Sequence, residues 1–423
     1  MSELLDLPLV PPSSAIIAPI IIMPTSYWTS QGLNENIAYG LERFQYQLLD
    51  RKTIYAHVIY LEPATPNVEF IPHHDMLLHH WKRYMTSLVE RGRAKAFFIE
   101  RIQLHQSVLD VVVPPLMEKV GELGELGLCK CRIDHNGLLL LSKYLSKNRT
   151  LKRLLLNENV IEDVDVARAL SLAVKDHPTM EELCVSHCEL GTNVDVLPEI
   201  LGGCNRLKTL RLNENKISSQ NVAHIGALLA SPDTSLATLR LDKNLLSDVD
   251  AVHFTAALKS NINLKYLYLT GNNITDVGKE EITTAVLDTT SLNSIADSNH
   301  NCEIVYSTLG TPGLASHINE KYWSTKRKVQ SKILLALYGM NNETLSSIQY
   351  FRDLPLELIP HGLELIQKHL DCLEQHDTIS VHMKNKPNIL LGRMYCLLRV
   401  WNLPWLFVNA VRRNVQKRQK VFR

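Results

Sequence analysis

An eleven-residue pattern of apolar and polar positions recurs six times in the middle of the chain. In its clearest copy, Leu264–Ile274, positions 1, 4, 6 and 11 are leucine or isoleucine and position 9 is asparagine. The starting points of the copies are 27 to 29 residues apart. The other copies begin at Leu123, Leu151, Met180, Leu207 and Leu236. A period of this size indicates a repeat architecture, in which each unit buries its apolar face against its neighbours.

Each copy predicts a short strand, and the residues that follow it predict a helix. In the last copy Leu267 and Leu269 point to one side and Tyr266 and Tyr268 to the other, as in a strand. Because strands pack about 4.8 Å apart and helices are about 10 Å across, the stack is expected to bend into an arc with its strands on the concave side. The clearest helices are predicted at Asp165–Val174 and Asp248–Leu258.

The motif L-x-x-L-x-L-x-x-N-x-L resembles the leucine-rich repeat family, and its long period resembles the ribonuclease-inhibitor-like subtype. The resemblance implies an α/β solenoid shaped like a horseshoe, with parallel strands inside and helices outside. Position 9 is predicted to be structural, because a buried polar side chain there can bond backbone groups that a turn leaves unpaired. This structural ladder comprises Cys131, Asn159, Cys188, Asn215, Asn244 and Asn272.

The segments on either side of the repeats divide the rest of the chain. A strand at Ile54–Leu61 and a helix at Asp75–Arg91, with Asp75 as its N-cap, predict a cap for the solenoid core. Ala94–Leu104 fits the template as a worn first repeat, and Leu292–Ile295 keeps the spacing of a degenerate last one. The predicted regions are an irregular segment at 1–30, an N-terminal cap region at 31–93, the solenoid at 94–309, a C-terminal helical region at 310–408 and a basic tail at 409–423.

The C-terminal third leaves several interpretations open. Its apolar spacing predicts helices that cap the solenoid or form a small domain. Leu354–Leu358 is loosely similar to the start of F-box domains, which would make the chain a substrate receptor of a ubiquitin ligase, but a plain helix start is favoured. Arg412–Arg423 carries six positive charges and no acid, which fits a solvated terminus better than a nuclear signal, a nucleic-acid contact or a membrane-surface helix. The helices are predicted at Lys321–Leu337, Leu356–Leu373 and Leu390–Leu398.

The net charge, the cysteines and the lengths of the apolar runs argue against several classes of protein. The net charge of the 423 residues is only +1, so no global field draws nucleic acid or membrane. Eight scattered cysteines without a CxxC pair predict reduced thiols and an intracellular, cytoplasmic or nuclear protein. No apolar run reaches the length of a membrane span. Ala15–Met23 is short and has no basic residue before it, which argues against a secretory signal.

Catalytic motifs are missing from the sequence. Neither a nucleophile elbow, nor a phosphate loop, nor a glycine-rich dinucleotide turn is present, so we expect a protein that is not an enzyme and holds no cofactor. A cluster of ligand-type residues could support a metal or an enzyme site, with Asp75 and His79 one turn apart. It lacks the further ligands that such sites need, so a solvated helix start is favoured. The cluster consists of His73, His74, Asp75, His79 and His80.

The exposed side of the predicted strands is the candidate binding surface. We expect Arg153, Thr209, Thr238 and Tyr266 to form one column across it, and Leu155, Arg211, Arg240 and Tyr268 to form the next. Tyrosine and arginine are enriched in binding hot spots. The pattern therefore favours a scaffold that binds a partner protein rather than a small molecule or nucleic acid. Two arginines beside two tyrosines predict an acidic peptide with an apolar anchor as its ligand. The candidate residues are Arg153, Leu155, Arg211, Asn213, Arg240, Asp242, Tyr266 and Tyr268.

Overall fold

The structure is a computed structural model that describes residues 21–50, 52, 55–63, 68–288, 294 and 298–306. The predicted C-terminal helices, the F-box-like stretch and the basic tail lie outside the described residues.

The described strands form one parallel sheet of nine strands. Each strand pairs with the next one in the chain, so the sheet grows in sequence order and stays open rather than closing into a barrel. This topology is that of an α/β solenoid, as the repeat pattern predicts. The strands are β1 (Val58–Leu61), β2 (Ala96–Glu100), β3 (Glu125–Cys129), β4 (Arg153–Leu155), β5 (Glu182–Cys184), β6 (Thr209–Arg211), β7 (Thr238–Arg240), β8 (Tyr266–Tyr268) and β9 (Glu303–Val305).

Helices alternate with strands from β1 to β8, and each packs against the helices of the neighbouring repeats. Their starts follow from capping side chains. Asp134 accepts a bond from the N–H of Gly137 at 2.8 Å, and Asp163 accepts one from Asp165 at 2.7 Å. The helices with bounds in the described residues are α1 (Thr25–Ser30), α2 (Glu35–Leu49), α3 (Leu77–Arg91), α4 (Gln106–Glu118), α5 (His135–Leu145), α6 (Val164–Lys175), α7 (Val196–Gly202), α8 (Ser219–Ala230), α9 (Asp248–Ser260) and α10 (Asp276–Val286).

The core lies between the sheet and the helices. The repeat that begins at Leu236 illustrates it: Leu236, Leu239, Leu241 and Leu246 are all fully buried. Burial of each such side chain stabilises the fold by about 1.5–3 kcal/mol. The predicted phase of the strands is therefore the observed one, with Thr238 and Arg240 on the solvent side and Leu239 in the core.

The N-terminal end differs in several details from what the sequence predicts. Helix α1 lies within the first 30 residues, which were expected to be irregular, because Trp28 is fully buried and its indole N–H donates to the carbonyl of Met23 at 3.0 Å. Strand β1 begins at Val58 rather than Ile54. Helix α3 begins at Leu77, after an N-cap residue that makes no side-chain cap bond.

Asp75 is not the N-cap of α3, contrary to the prediction. Its carboxylate lies 3.1 Å from the Nε2 atom of His73 instead. The prediction failed because a carboxylate engaged by an imidazole two residues earlier is not placed over the first N–H groups of the helix.

The last described strand also departs from the predicted spacing. Ile304 of β9 pairs with Leu267 of β8, 37 residues later (304 − 267), which is longer than the repeat period of 27 to 29. The degenerate last repeat predicted at Leu292–Ile295 lies outside the described residues, apart from Ser294. The entry to β9 is fixed by Asn299. Its amide donates to the carbonyl of Leu258 at 2.8 Å, and its oxygen accepts from the N–H of Cys302 at 2.8 Å. These bonds hold the longer connection against the preceding repeat.

Candidate interaction surface

The side chains at position 9 bind each repeat to the one before it. Asn159 accepts hydrogen bonds from the N–H groups of Cys131 and Ile133, both at 3.2 Å, and donates to the carbonyl of Leu128 at 2.6 Å. Asn215 repeats the arrangement, accepting from Cys188 at 2.8 Å. Because these backbone groups are buried, the asparagines satisfy polar atoms that water cannot reach.

The two cysteines of the ladder fulfil only half of this role. The thiol of Cys188 donates to the carbonyl of Leu156 at 3.3 Å, but the N–H of Ile161 bonds to the backbone carbonyl of Cys188 at 2.9 Å. Where the next repeat has asparagine at position 9, the equivalent N–H group bonds to that side chain instead. The N–H of Ile217, for example, donates to the side-chain oxygen of Asn244 at 3.1 Å. Desolvation raises the pKa of the Cys188 thiol above its usual range, so it stays neutral as a structural donor.

In each of the six repeats, the residue just before position 9 has a left-handed backbone conformation. Its φ lies between 52° and 72° in the six repeats, and only Gly271 among the six is a glycine. The other five accept the cost of this conformation, which is about 1–2 kcal/mol for a residue with a Cβ. They project charged or polar side chains at the end of each strand. They are Lys130, Glu158, His187, Glu214 and Lys243.

The solvent side of the sheet, called here the concave face, presents straight columns of side chains. The register places Arg153, Thr209, Thr238 and Tyr266 in the first column, with Glu182 between the first two. The second column contains Leu155, Cys184, Arg211, Arg240 and Tyr268. All the predicted surface residues in the strands therefore lie on one continuous face.

The arginines of this face are already paired with carboxylates. Arg211 Nε lies 2.7 Å from Glu182 Oε1, and Arg240 Nε lies 3.0 Å from Asp242 Oδ2. Arg153 is paired with Glu125. These ion pairs reduce the free positive charge at Arg211 and Arg240, and the acidic-peptide ligand stays a prediction.

Arg240, Tyr268 and Asp242 form a compact triad. The Arg240 guanidinium lies 4.7 Å from the centre of the Tyr268 ring, within the range of a cation–π contact. The amide of Asn213 donates to the same Asp242 oxygen at 3.2 Å. The ring of Tyr266 is 6.3 Å from that of Tyr268. Each side chain thus has an orientation fixed by its neighbours.

A second aromatic group lies at the other end of the concave face. The ring of Tyr60 in β1 stacks on that of Phe98 in β2, with centres 4.6 Å apart and planes 11° apart. Tyr60 is 60% exposed and Val58 beside it is 48% exposed. This group was not predicted from the sequence, because Ile54–Leu61 was interpreted as part of a cap. The alternation of Val58 and Tyr60 with buried Ile59 and Leu61 is the signal that could have revealed it.

The histidine cluster is spread over separate contacts. His73 stacks on His105 with ring centres 4.8 Å apart, while His74 lies edge-on against Trp28 at 4.8 Å. His80 is buried, and desolvation lowers its pKa. Within the described ranges, no group of three or more histidine, cysteine, aspartate or glutamate residues is arranged to hold a metal ion. The absence of metal stays a prediction.

Two further findings concern the part of the chain that the structure describes. Among its cysteines, Cys129, Cys131, Cys184, Cys188 and Cys204 are free thiols, and all of these except Cys129 are buried. None of its helices is both long enough and apolar enough to cross a membrane.

The open parallel sheet, the alternating helices and the position-9 ladder define a leucine-rich-repeat solenoid. A match to the Leucine Rich repeat family covers residues 260–282. The chain is a leucine-rich repeat protein. The ribonuclease-inhibitor-like subtype stays a prediction.

Two curated relatives each match about half of this chain. NACHT, LRR and PYD domains-containing protein 3 of Bos taurus is 25% identical over 211 residues, which cover 49% of this chain and 19% of that protein. NACHT, LRR and PYD domains-containing protein 5 of Mus musculus is 28% identical over 208 residues, which cover 49% of this chain and 18% of that protein. The matched stretch is thus less than a fifth of the length of either relative.

Among solved structures, an internalin (inlF) from Listeria monocytogenes str. 4b F2365 is 16% identical and covers 50% of this chain and 69% of its own, with a TM-score of 0.26.

Proposed function

We propose that the chain is a non-enzymatic scaffold that binds a partner protein on its concave face. The observation that carries this proposal is the ordered cluster of Arg240, Tyr266 and Tyr268 on two adjacent strands. Aromatic and arginine side chains are the usual anchors of protein interfaces. Because their neighbours already hold them in place, binding costs little side-chain entropy.

The ion pairs of the concave face support specificity rather than simple charge attraction. Arg211 remains 41% exposed although its Nε atom is bonded to Glu182. A guanidinium has five N–H donors, so a partner can bond to it without breaking the internal pair. A partner whose charges do not complement this pattern would bring like charges together, which lowers its affinity.

The compartment is also part of the proposal. The free thiols of Cys129, Cys131, Cys184, Cys188 and Cys204 fit a reducing environment, where disulfides rarely persist. We infer a cytoplasmic or nuclear location for the complex. Among the described residues no observation favours the metal-protein or the ligase-receptor alternative.

The test begins with affinity capture by the full chain, followed by calorimetry with the captured partner. The variant Arg211→Ala, Tyr268→Ala is expected to weaken binding by more than about 1 kcal/mol, the threshold of a contributing contact. Its circular dichroism should match that of the wild type, because neither side chain enters the core. Unchanged affinity in the folded variant would move the binding surface away from this part of the sheet.

A matched control comes from the helix side of the solenoid. Val249 and Val252 on α9 are 70% and 60% exposed. Their replacement by alanine changes two exposed side chains on the opposite face, and it should leave the affinity for the partner unchanged.

A further inference from the structure

The concave face carries more negative than positive charge. Its outward positions in the nine strands, with the next outward position after each strand among the described residues, hold six acids and three arginines, a net charge of −3. The arginines are Arg153, Arg211 and Arg240, and the acids are Glu62, Glu100, Glu125, Glu182, Asp242 and Glu303.

Much of the excess lies at the N-terminal end of the sheet. Each of the three arginines is paired with one acid, as described above. Glu62 and Glu100 instead share a single cation from a turn, Arg101. Its Nη2 atom lies 3.0 Å from Glu62, and its Nε atom lies 3.6 Å from Glu100. The two carboxylates are 47% and 52% exposed, so one negative charge is left in contact with solvent.

This acidic end coincides with the exposed aromatic pair. Glu62 follows Tyr60 by two residues, as Asp242 follows Arg240. Glu100 follows Phe98 by the same interval, so all four side chains lie on one side of neighbouring strands. We call these four residues the aromatic–acidic platform. An aromatic face beside carboxylates attracts cations, by cation–π contact and by ion pairing.

Two contacts within the chain show an arginine over an aromatic ring, and in the first of them a carboxylate also takes part. Arg240 lies over Tyr268 and is bonded to Asp242. Arg132 lies over Phe70, 4.0 Å from the ring centre. The platform has the aromatic ring and the carboxylates of the first example, but none of the described residues places a guanidinium over Tyr60.

Gly127 shows that the platform is built into the sheet. A Cβ atom at this position of β3 would come within 2.4 Å of Cδ1 of the Phe98 ring. Only a glycine lets that ring lie across β3, where it supports Tyr60. Its replacement therefore disturbs the platform without touching Tyr60 or either carboxylate.

We propose that the platform binds an arginine side chain from a basic segment of the partner protein, with the guanidinium over Tyr60 and against Glu62 and Glu100. This inference rests on the proposed concave-face binding and names the chemistry of the partner. The planar guanidinium fits both a ring face and a carboxylate, whereas the ammonium of lysine fits them less well.

The experiment uses the full chain and three fluorescein-labelled peptides that are identical except for a central pair of arginines, lysines or glutamates. Fluorescence anisotropy should give the tightest binding for the arginine peptide and none for the glutamate peptide. Tyr60→Ser, Glu62→Gln with Glu100→Gln, and Gly127→Val should each weaken the arginine peptide about fivefold or more. Val249→Ala with Val252→Ala, on the helix side of the solenoid, should leave it unchanged. Binding should also weaken as salt rises from about 50 mM to about 500 mM.

Several outcomes would overturn the proposal. Equal binding of the three peptides would remove the charge argument, and wild-type affinity in a folded Tyr60→Ser variant would remove the platform. If peptide binding appears only after deletion of Arg412–Arg423, the chain's own basic tail is the occupant. If the wild type dimerises in sedimentation and the Tyr60→Ser variant does not, the platform is occupied by a second copy of the chain.

The same variants separate this inference from the proposed function. If the captured partner binds Tyr60→Ser normally but Arg211→Ala, Tyr268→Ala poorly, the platform proposal fails and the scaffold proposal stands. If the partner binds both variants normally, both proposals fail.

Discussion

Asn215 and Asn244 lie one repeat apart and are joined by a bond from backbone to side chain. The oxygen of the Asn244 amide accepts from the N–H of Asn215 at 2.9 Å. Asn215 in turn accepts from the N–H of Cys188 in the repeat before it. The ladder is therefore a chain of contacts that all run in the same direction along the solenoid.

The first prediction follows from this contact. Asn215→Ala should lower the free energy of unfolding by about 1–3 kcal/mol, because it leaves the N–H of Cys188 and the carbonyl of Val185 buried without partners. Urea denaturation followed by circular dichroism measures the loss. Asn273→Ala, at an exposed asparagine, is the control and should change stability by less than about 0.5 kcal/mol. Equal stability of the two variants would refute the structural role of the ladder.

The second prediction tests the phase of the strands. Leu239 in β7 is fully buried, and Leu239→Ala should cost about 2–5 kcal/mol through lost packing and the cavity left behind. Thr238, the neighbouring residue, lies on the concave face, so Thr238→Ala should cost much less. Chemical denaturation of the two variants measures both losses of stability. A larger loss for Thr238→Ala than for Leu239→Ala would contradict the predicted phase of the strand.

The repeat spacing alone was enough to predict the solenoid, its strand phase and the position of the ladder, because all three depend on which residues are apolar. The burial of Leu239 and the ladder position of Asn215 were predicted in this way. The pairing of Arg211 with Glu182 could not be predicted, because it depends on the side-chain conformations of two residues 29 apart. The position of β9 was missed because an insertion of irregular length precedes it, and the aromatic–acidic platform because β1 lacks the repeat motif.

The third prediction concerns a position that the template does not include. Three residues before the first leucine of a repeat, Asn148 and Asn261 each accept two backbone N–H bonds and donate to a carbonyl of the previous repeat. His177 occupies this position in the repeat of Met180. Its Nδ1 atom accepts from Thr179 at 3.4 Å, and its buried Nε2 atom has no partner among the described residues. His177→Asn should therefore stabilise the protein.

The gain from His177→Asn should increase in acid. Burial lowers the pKa of His177 below its usual 6.5, so the folded state keeps the ring neutral while the unfolded state binds a proton. Stability is then lost as the pH falls through about 6.5. Thermal melts at pH 7.5 and pH 5.5 should show a larger difference between the variant and the wild type at the lower pH. A constant difference would mean that His177 does not titrate with folding.

The fourth prediction concerns alkaline pH. Desolvation raises the pKa of Cys204 to about 12 and that of Cys131 well above 9.0. Above pH 9 the unfolded thiols ionise and the folded ones do not, so the free energy of unfolding should fall as the pH rises from about 8.5 to about 10.5. The slope should be shallower in a variant with Cys131, Cys188 and Cys204 all replaced by alanine. The native thiols should also resist alkylation at pH 8, and rapid labelling of Cys204 would contradict the expected burial.

The direction of the ladder determines where the solenoid can be divided. Every position-9 side chain completes the backbone of the repeat on its N-terminal side, so a fragment cut between two repeats loses a side chain that its last turn requires. A shortened solenoid must keep the turn of the following repeat, including its asparagine, as a seal. We expect a solenoid that unfolds from its C-terminal side to lose these side chains one repeat at a time. The two ends of the array are therefore not equivalent, although both are built from the same apolar repeat.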